Sequence, residues 1–75
     1  MSFREVEISA VFESAIRALR KGELNITELI DTISSELGVT NGHANYLISE
    51  VYKRDDGRNM TRENKNGVFV YSLIE

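Results

Sequence analysis

Three of the five glycines divide the chain into segments with helical spacing, and this division constrains the fold more than any other feature. Gly22, Gly38 and Gly57 each follow a run in which apolar residues recur every three or four positions. After Gly57 the spacing becomes alternating, and Asn66-Gly67 separates a polar run from an apolar run. We therefore predict three amphipathic helices followed by a β-hairpin, because each spacing puts the apolar side chains on one face of only one type of element.

The first helix has a clear apolar stripe and two possible beginnings. Ser9 can cap a helix over about residues 9–21, whereas Ser2-Phe3-Arg4-Glu5 has capping-box spacing for a longer helix. Gly22 ends the helix in either case. The stripe consists of Ile8, Val11, Phe12, Ala15, Ile16 and Leu19. We expect residues 9–21 to be helical whichever beginning is used.

The second helix opens after Asn25 or Thr27 and covers about residues 28–37. Asn25 and Glu28 have capping-box spacing, and Gly38 supplies the left-handed C-cap. The buried face consists of Leu29, Ile30, Ile33 and Leu37. A short turn after Gly38 is therefore expected to lead into the third helix.

The third helix is predicted over about residues 41–54. Thr40 caps its beginning, and Asp55-Asp56-Gly57 closes it. Its inward stripe consists of Ala44, Leu47, Ile48 and Val51. The side chains on the other faces of this helix are mostly hydrogen-bonding groups, so the helix is a candidate binding surface.

The last segment reads as a hairpin with strands at about residues 58–64 and 68–74. Asn66 and Gly67 tolerate the positive φ angles that a type I′ turn requires. The turn pairs Lys65 with Val68, Glu63 with Val70, Arg62 with Tyr71 and Met60 with Leu73. The face expected to lie on the helices carries Phe69, Tyr71 and Leu73. This packing is expected because an isolated hairpin is only marginally stable.

The size of the chain predicts one domain over residues 1–75 and favours assembly with a partner. A domain this small buries only about 60% of its unfolded surface, so a homodimer is plausible, paired through the segment 1–8 or the C-terminal strand. With no Cys and one His, neither a disulfide nor a zinc site is expected, and no cofactor or metal is predicted. Without a basic segment before an apolar stretch, or an apolar run near the ~18 residues of a membrane span, we expect a cytoplasmic protein that does not contact membranes.

The charges are distributed unevenly along the chain. Residues 1–50 carry four basic and eight acidic side chains, whereas residues 51–75 carry five basic and four acidic ones. The five basic residues of the second part are Lys53, Arg54, Arg58, Arg62 and Lys65. This asymmetry favours an anionic partner at that end of the molecule, although a solvated loop of mixed charge has the same composition.

The order of these elements resembles the winged helix-turn-helix family over nearly the whole chain. The run from Ile26 to Ile48 matches the helix-turn-helix, Leu24-Asn25-Ile26 matches the short strand before it, and the run from Arg58 to Leu73 matches the wing. The resemblance implies an α+β fold of three helices with a C-terminal β-hairpin wing. It also implies binding of double-stranded DNA, with the third helix in the major groove and the wing on the backbone or minor groove.

The residue chemistry agrees with part of this implication. Asn side chains can bond adenine bidentately, and the helix beginning at Thr40 can hold a phosphate through its free backbone amides. Basic side chains of the wing can contact phosphates or the minor groove. The candidate DNA-binding residues are Thr40, Asn41, His43, Asn45, Tyr46, Ser49, Lys53, Arg54, Arg58, Arg62 and Lys65. The hypothesis is a small sequence-specific transcriptional regulator or accessory factor of prokaryotic or phage scale.

One departure from a strong DNA binder limits the expected affinity. The third helix has no Arg or Lys before Lys53 and carries Glu50, so the electrostatic contribution per monomer is small. A homodimer on two half-sites, or a second protein on the same DNA, would compensate.

The sequence also bears on two other function classes, a protein-binding module and an enzyme. A winged-helix protein-interaction module or inhibitor would bind a protein partner and not DNA, and the positions of the five basic side chains in space discriminate it from the DNA binder. An enzyme is not expected, because Asp55-Asp56 and Glu63-Asn64-Lys65 lie on a loop and a hairpin arm without rigid convergence. No catalytic residue is predicted.

Overall fold

Three helices and a three-stranded antiparallel sheet make up the structure, a computed structural model that describes the backbone of residues 3–74 and the side chains of residues 7–74. The elements in chain order are α1 Phe3–Leu19, β1 Leu24–Asn25, α2 Ile26–Leu37, α3 Asn41–Asp55, β2 Met60–Lys65 and β3 Val68–Leu73. The predicted α+β fold, three helices with a C-terminal hairpin wing, is confirmed.

Helix α1 is longer than the segment 9–21 at its N-terminal end. It begins at Phe3 and continues through Ser9, so the prediction that Ser9 starts the helix is wrong. No Gly or Pro lies between these positions, and a serine that can cap a helix does not begin one when the preceding residues can continue it. The alternative cap, Ser2, lies outside the described residues. At the other end the N–H of Gly22 donates to the carbonyl of Leu19, over 3.1 Å.

Local side-chain caps set the bounds of the helix-turn-helix, and α2 begins at Ile26, two residues before the predicted start at 28. The side chain of Asn25 accepts from the N–H of Glu28 over 2.8 Å, and Glu28 Oε1 accepts from the N–H of Asn25 over 3.3 Å. Gly38 closes α2 with a φ of 69°. Thr40 Oγ1 then accepts from the N–H of His43 over 3.2 Å and caps α3. Each such cap is worth about 1 kcal/mol, so the turn between the helices is specified locally.

The core lies between the three helices and the inner face of the sheet. Its buried apolar side chains are Ile8, Val11, Ala15, Leu19, Leu29, Ile33, Ala44, Leu47, Ile48, Val51, Met60 and Tyr71. Every helix contributes residues of its predicted stripe, and the sheet contributes Met60 from β2 and Tyr71, the largest of the fully buried side chains described, from β3. The outer face of α3 therefore remains available to a partner.

The hairpin has the predicted turn and register. Asn66 and Gly67 have φ angles of 55° and 82°, and Asn64 Oδ1 accepts from the N–H of Gly67 over 2.9 Å. The paired residues run from Lys65 with Val68 to Met60 with Leu73. Strand β1 pairs with β3 on the other side, which puts β3 in the centre of the sheet.

One expectation about the sheet face holds only in part. Tyr71 is 1% exposed and Leu73 packs against the core, but Phe69 is 39% exposed. Among the described residues, Phe69 is not one of the apolar side chains that pack against the core. Its ring contacts a charged side chain of β2 instead, as described below.

Candidate nucleic-acid interface

The outer surface of α3 is a stripe without carboxylates. Gly42, Tyr46, Ser49 and Lys53 follow one another at the spacing of a helical face, opposite the buried residues. This outer stripe extends over about three helical turns. Tyr46 is 41% exposed, and Gly42 and Lys53 are also exposed. An α-helix with its side chains is about 10–12 Å across, which fits the ~12 Å width of a DNA major groove.

On one edge of the outer stripe, α3 faces α2. Asn41 Nδ2 donates to Asp31 Oδ1 over 3.4 Å, so the Asn41 amide is engaged with α2. Asn45, one turn further along the same edge, is exposed. The structure thus leaves Asn45 better placed than Asn41 to contact a partner.

On the opposite edge, α3 faces α1. His43 Nε2 lies 2.6 Å from Glu7 Oε2 on α1, and this hydrogen bond joins the two helices. Glu50 and Arg54 follow His43 at helical spacing on the same edge. His43 and Arg54 are therefore directed toward the α1 side, away from the wing.

A groove of about 520 Å³ separates the end of α3 from the wing. Asp56, in the left-handed conformation with a φ of 52°, caps α3 through its N–H and turns the chain back toward the sheet. The residues lining this α3–wing groove are Ser49, Tyr52, Lys53, Asp56, Gly57 and Arg62. The turn thus brings Lys53 of the helix and Arg62 of the wing to the same groove.

Arg62 is held by three aromatic rings. Its guanidinium carbon lies 4.3 Å from the ring centroids of both Tyr52 and Phe69, and 5.9 Å from that of Tyr71. Arg62 Nη1 donates to the Tyr71 hydroxyl over 3.4 Å. Tyr52 and Tyr71 also meet edge to face, with centroids 5.8 Å apart. These four residues, called the Arg62 stack below, attach the wing to α3.

The sequence does not predict that Tyr52 and Phe69 contact Arg62. The hairpin register places Arg62 opposite Tyr71, so the contact with this one ring could be predicted from the sequence. Phe69 was expected on the helices, and Tyr52 belongs to another element. No local pattern relates these two rings to Arg62.

The other basic residues do not converge on the groove. Lys65 Nζ lies 3.3 Å from Glu23 Oε2, an exposed ion pair at the wing tip. Arg58 is exposed in the turn between α3 and β2. Of the five basic side chains between positions 53 and 65, two line the groove and three lie elsewhere. The basic residues are thus divided between the groove and other surfaces.

Asp55 has a structural place in the fold. Its Oδ2 accepts from the N–H groups of Asn59 and Met60 over 2.9 and 3.1 Å, and its Oδ1 accepts from Asn59 Nδ2 over 2.7 Å. Burial raises the pKa of Asp55, but the hydrogen bonds that its carboxylate accepts have a larger, opposite effect. These bonds come from the backbone and side chain of Asn59 and from the backbone of Met60 and Arg58, and together they hold the pKa below its ordinary value. Asp55 therefore fixes the turn from α3 into β2.

Within the described part of the chain, no group of three or more His, Cys, Asp or Glu side chains is arranged to hold a metal ion. Among these same residues, no helix combines the length and apolarity that crossing a bilayer requires. No protein-family model, no curated protein and no solved structure matches the chain. The geometry of α3 and the wing is therefore the basis for assigning a function.

Proposed function

We propose that this protein binds double-stranded DNA sequence-specifically, with α3 in the major groove and the wing beside it on the backbone. The observation that carries the proposal is the outer stripe of α3, which has no carboxylate and ends in the α3–wing groove between Lys53 and Arg62. An exposed helix reads base edges in the major groove, while basic side chains beside it position the protein on phosphates.

The net charge of −3 is compatible with this proposal because several acidic side chains are occupied away from the outer stripe. Glu23 pairs with Lys65, Glu36 with Arg17, and Glu7 with His43. The local charge at a binding surface matters more for phosphate attraction than the total. With two basic side chains in the groove, one monomer binds weakly, and we infer that a second copy or another protein shares the site.

The proposed roles follow from position. Asn45, exposed on the edge of α3, is suited to bidentate bonding of adenine, and Tyr46 presents an aromatic ring to base edges. Thr40 and Asn41 stand at the N-terminus of α3, where backbone amides attract phosphate. Ser49, Lys53 and Arg62 face the backbone from the groove. We infer that the protein acts by occupying its site, as a small transcriptional regulator or accessory factor, and not by chemistry.

Selection from a pool of random duplex DNA, at about 50 and about 200 mM salt, tests the proposal. We expect enrichment of a half-site at the lower salt concentration. Asn45→Ala should abolish the preference for that half-site, because base contacts carry specificity. Lys53→Ala should weaken binding to all duplexes. Arg54→Ala is the matched control, since it removes the same charge from the neighbouring position on the α1 edge and should change affinity little.

Absence of enrichment at the lower salt concentration would overturn the proposal. One observation favours a second candidate, a protein-interaction module. Val68 and Phe69 at the wing tip are 41% and 39% exposed, and apolar side chains are better suited to a protein surface than to phosphates. In that case binding to the protein partner should hardly respond to salt.

A further inference from the structure

The guanidinium of Arg62 lies against three aromatic rings but makes only one hydrogen bond among the described residues. A guanidinium has five N–H donors, and one of them bonds the Tyr71 hydroxyl. The ion pairs among residues 7–74 are Arg17 with Glu36 and Lys65 with Glu23, and neither includes Arg62. A half-buried guanidinium held by aromatic rings and without a carboxylate has in-plane donors available for an anion.

The surroundings of Arg62 match a phosphate in both charge and donor type. Lys53 lines the same groove and has no ion-pair partner among the described side chains, and Ser49 adds a hydroxyl. Guanidinium, ammonium and hydroxyl groups together are the donors that phosphate oxygens accept from. Asp56 also lines the groove and reduces its positive charge without cancelling it.

We propose that the α3–wing groove binds one phosphate group through Arg62 and Lys53, and that Tyr52 and Phe69 are positioning residues that hold the guanidinium for it. Under the proposed function, on which this inference rests, the ligand is one phosphate diester of the DNA backbone. A free Arg side chain loses rotamer freedom when it binds, whereas the Arg62 stack removes much of that freedom in the unbound protein. The wing then contributes an already oriented donor set.

The salt dependence of DNA affinity tests the role of Arg62. On a duplex recovered from the random pool, Arg62→Gln should reduce the magnitude of the slope of log binding constant against log salt by about 0.9, the value for one phosphate. Arg62→Lys keeps the charge without the planar fork, so it should keep the slope and lose affinity. Arg54→Gln, the matched control on the α1 edge, should leave the slope unchanged. An unchanged slope in folded Arg62→Gln would overturn the proposal.

A double-mutant cycle tests the positioning role of Phe69. Phe69→Leu should weaken binding about threefold to tenfold at an unchanged slope, because the charge remains and only its orientation is lost. In the Arg62→Gln background the same change should have no effect, since Phe69 acts through Arg62. Val68→Ala is the control for the wing tip, because Val68 is equally exposed on the other face of the strand. Equal losses from Phe69→Leu in both backgrounds would overturn the positioning role.

NMR of the Arg62 Nε–H separates this proposal from the proposed function. A shift with both inorganic phosphate and a short duplex supports both. A shift with inorganic phosphate in a protein that binds no duplex supports the phosphate site and overturns the DNA-binding function. Duplex binding that leaves the Arg62 signal unshifted supports the function and overturns the site.

Discussion

Two buried polar side chains show how differently single residues contribute to this fold. The carboxylate of Asp55 accepts three hydrogen bonds from Asn59 and Met60. The hydroxyl of Ser14, which is fully buried on α1, has no hydrogen-bond partner among the described residues. Burial costs free energy for any polar group and is offset only where partners are present. Asp55 therefore stabilises the fold, whereas Ser14 destabilises it.

Asp55→Ala should reduce the free energy of unfolding by roughly 1–3 kcal/mol, because the N–H of Met60 is buried and would lose its acceptor. Urea unfolding measures the change. Asp56→Asn is the control, since Asp56 is exposed and Asn tolerates its left-handed conformation. A loss as large in the control as in Asp55→Ala would contradict the hydrogen-bond explanation.

The stabilisation by Asp55 should depend on pH. Its folded pKa lies below the ordinary value of 3.8, so the carboxylate form is favoured by folding. A group of this kind contributes fully at pH values above its unfolded pKa and loses its contribution as the pH falls through the folded pKa. The difference in unfolding free energy between wild type and Asp55→Asn should be constant above about pH 5 and shrink below about pH 4. A difference that did not shrink in acid would be inconsistent with this assignment.

Ser14→Ala should raise the free energy of unfolding by roughly 1 kcal/mol. The substitution removes an unsatisfied hydroxyl from the core and introduces a better helix former. Ser35→Ala, the same change at an exposed position of α2, is the control and should alter stability by only a few tenths of a kcal/mol. Urea unfolding of both variants decides, and a destabilised Ser14→Ala would indicate that the hydroxyl has a partner.

At the scale of elements, the end of α3 determines how the helix and the wing meet. Asp56 adopts the left-handed conformation with a φ of 52°, and its side chain lines the groove with Lys53 and Arg62. Asn and Gly adopt this conformation more readily than most residues. The backbone of the turn is therefore compatible with an uncharged residue at position 56. Such a residue would leave the groove more positively charged.

Asp56→Asn should increase DNA affinity roughly twofold to fivefold, because it removes a carboxylate from the groove and preserves the turn. Fluorescence anisotropy at about 100 mM salt, near a 10 Å screening length, measures the effect. Glu63→Gln is the matched control, since Glu63 is on the other face of the hairpin from Arg62. An equal increase in DNA affinity in the Glu63→Gln control would show that the total charge of the protein, and not the charge of the groove, causes the effect.

For the whole molecule, the number of basic side chains that share one surface limits its electrostatics. Lys53 and Arg62 line the groove, Lys65 is paired with Glu23, and Arg54 is on the α1 edge. The affinity of one domain for phosphate should therefore be modest. Two domains on adjacent half-sites would double the number of phosphate contacts without a new interaction.

With one phosphate in the groove of each domain and about 0.9 for each phosphate, the slope of log binding constant against log salt should be close to −1 for one domain and close to −2 for two on one duplex. Anisotropy titrations at several salt concentrations give the slope, and sedimentation gives the number of domains bound. A slope near zero with full binding would show that the groove does not contact phosphates.

Features that depend on neighbouring residues could be predicted from the sequence alone. The cap at Thr40, the turn at Asn66-Gly67 and the hairpin register were predicted, and Asn25 was one of two predicted beginnings of α2, because each is decided by a few adjacent side chains. The stripes of the helices followed from their period for the same reason. The start of α1 is the exception, since two local signals competed and the sequence did not discriminate between them.

Which of the candidate residues share a surface depends on how the elements pack together. Tyr52, Arg62 and Phe69 lie on three different elements and meet because the fold brings the end of α3 beside the hairpin. Lys53 faces the groove and Arg54 does not, although they are adjacent in sequence and carry the same charge. Periodicity gives the direction of a side chain within its own helix or strand. The angle between elements comes from core packing, which is summed over contacts distant in sequence.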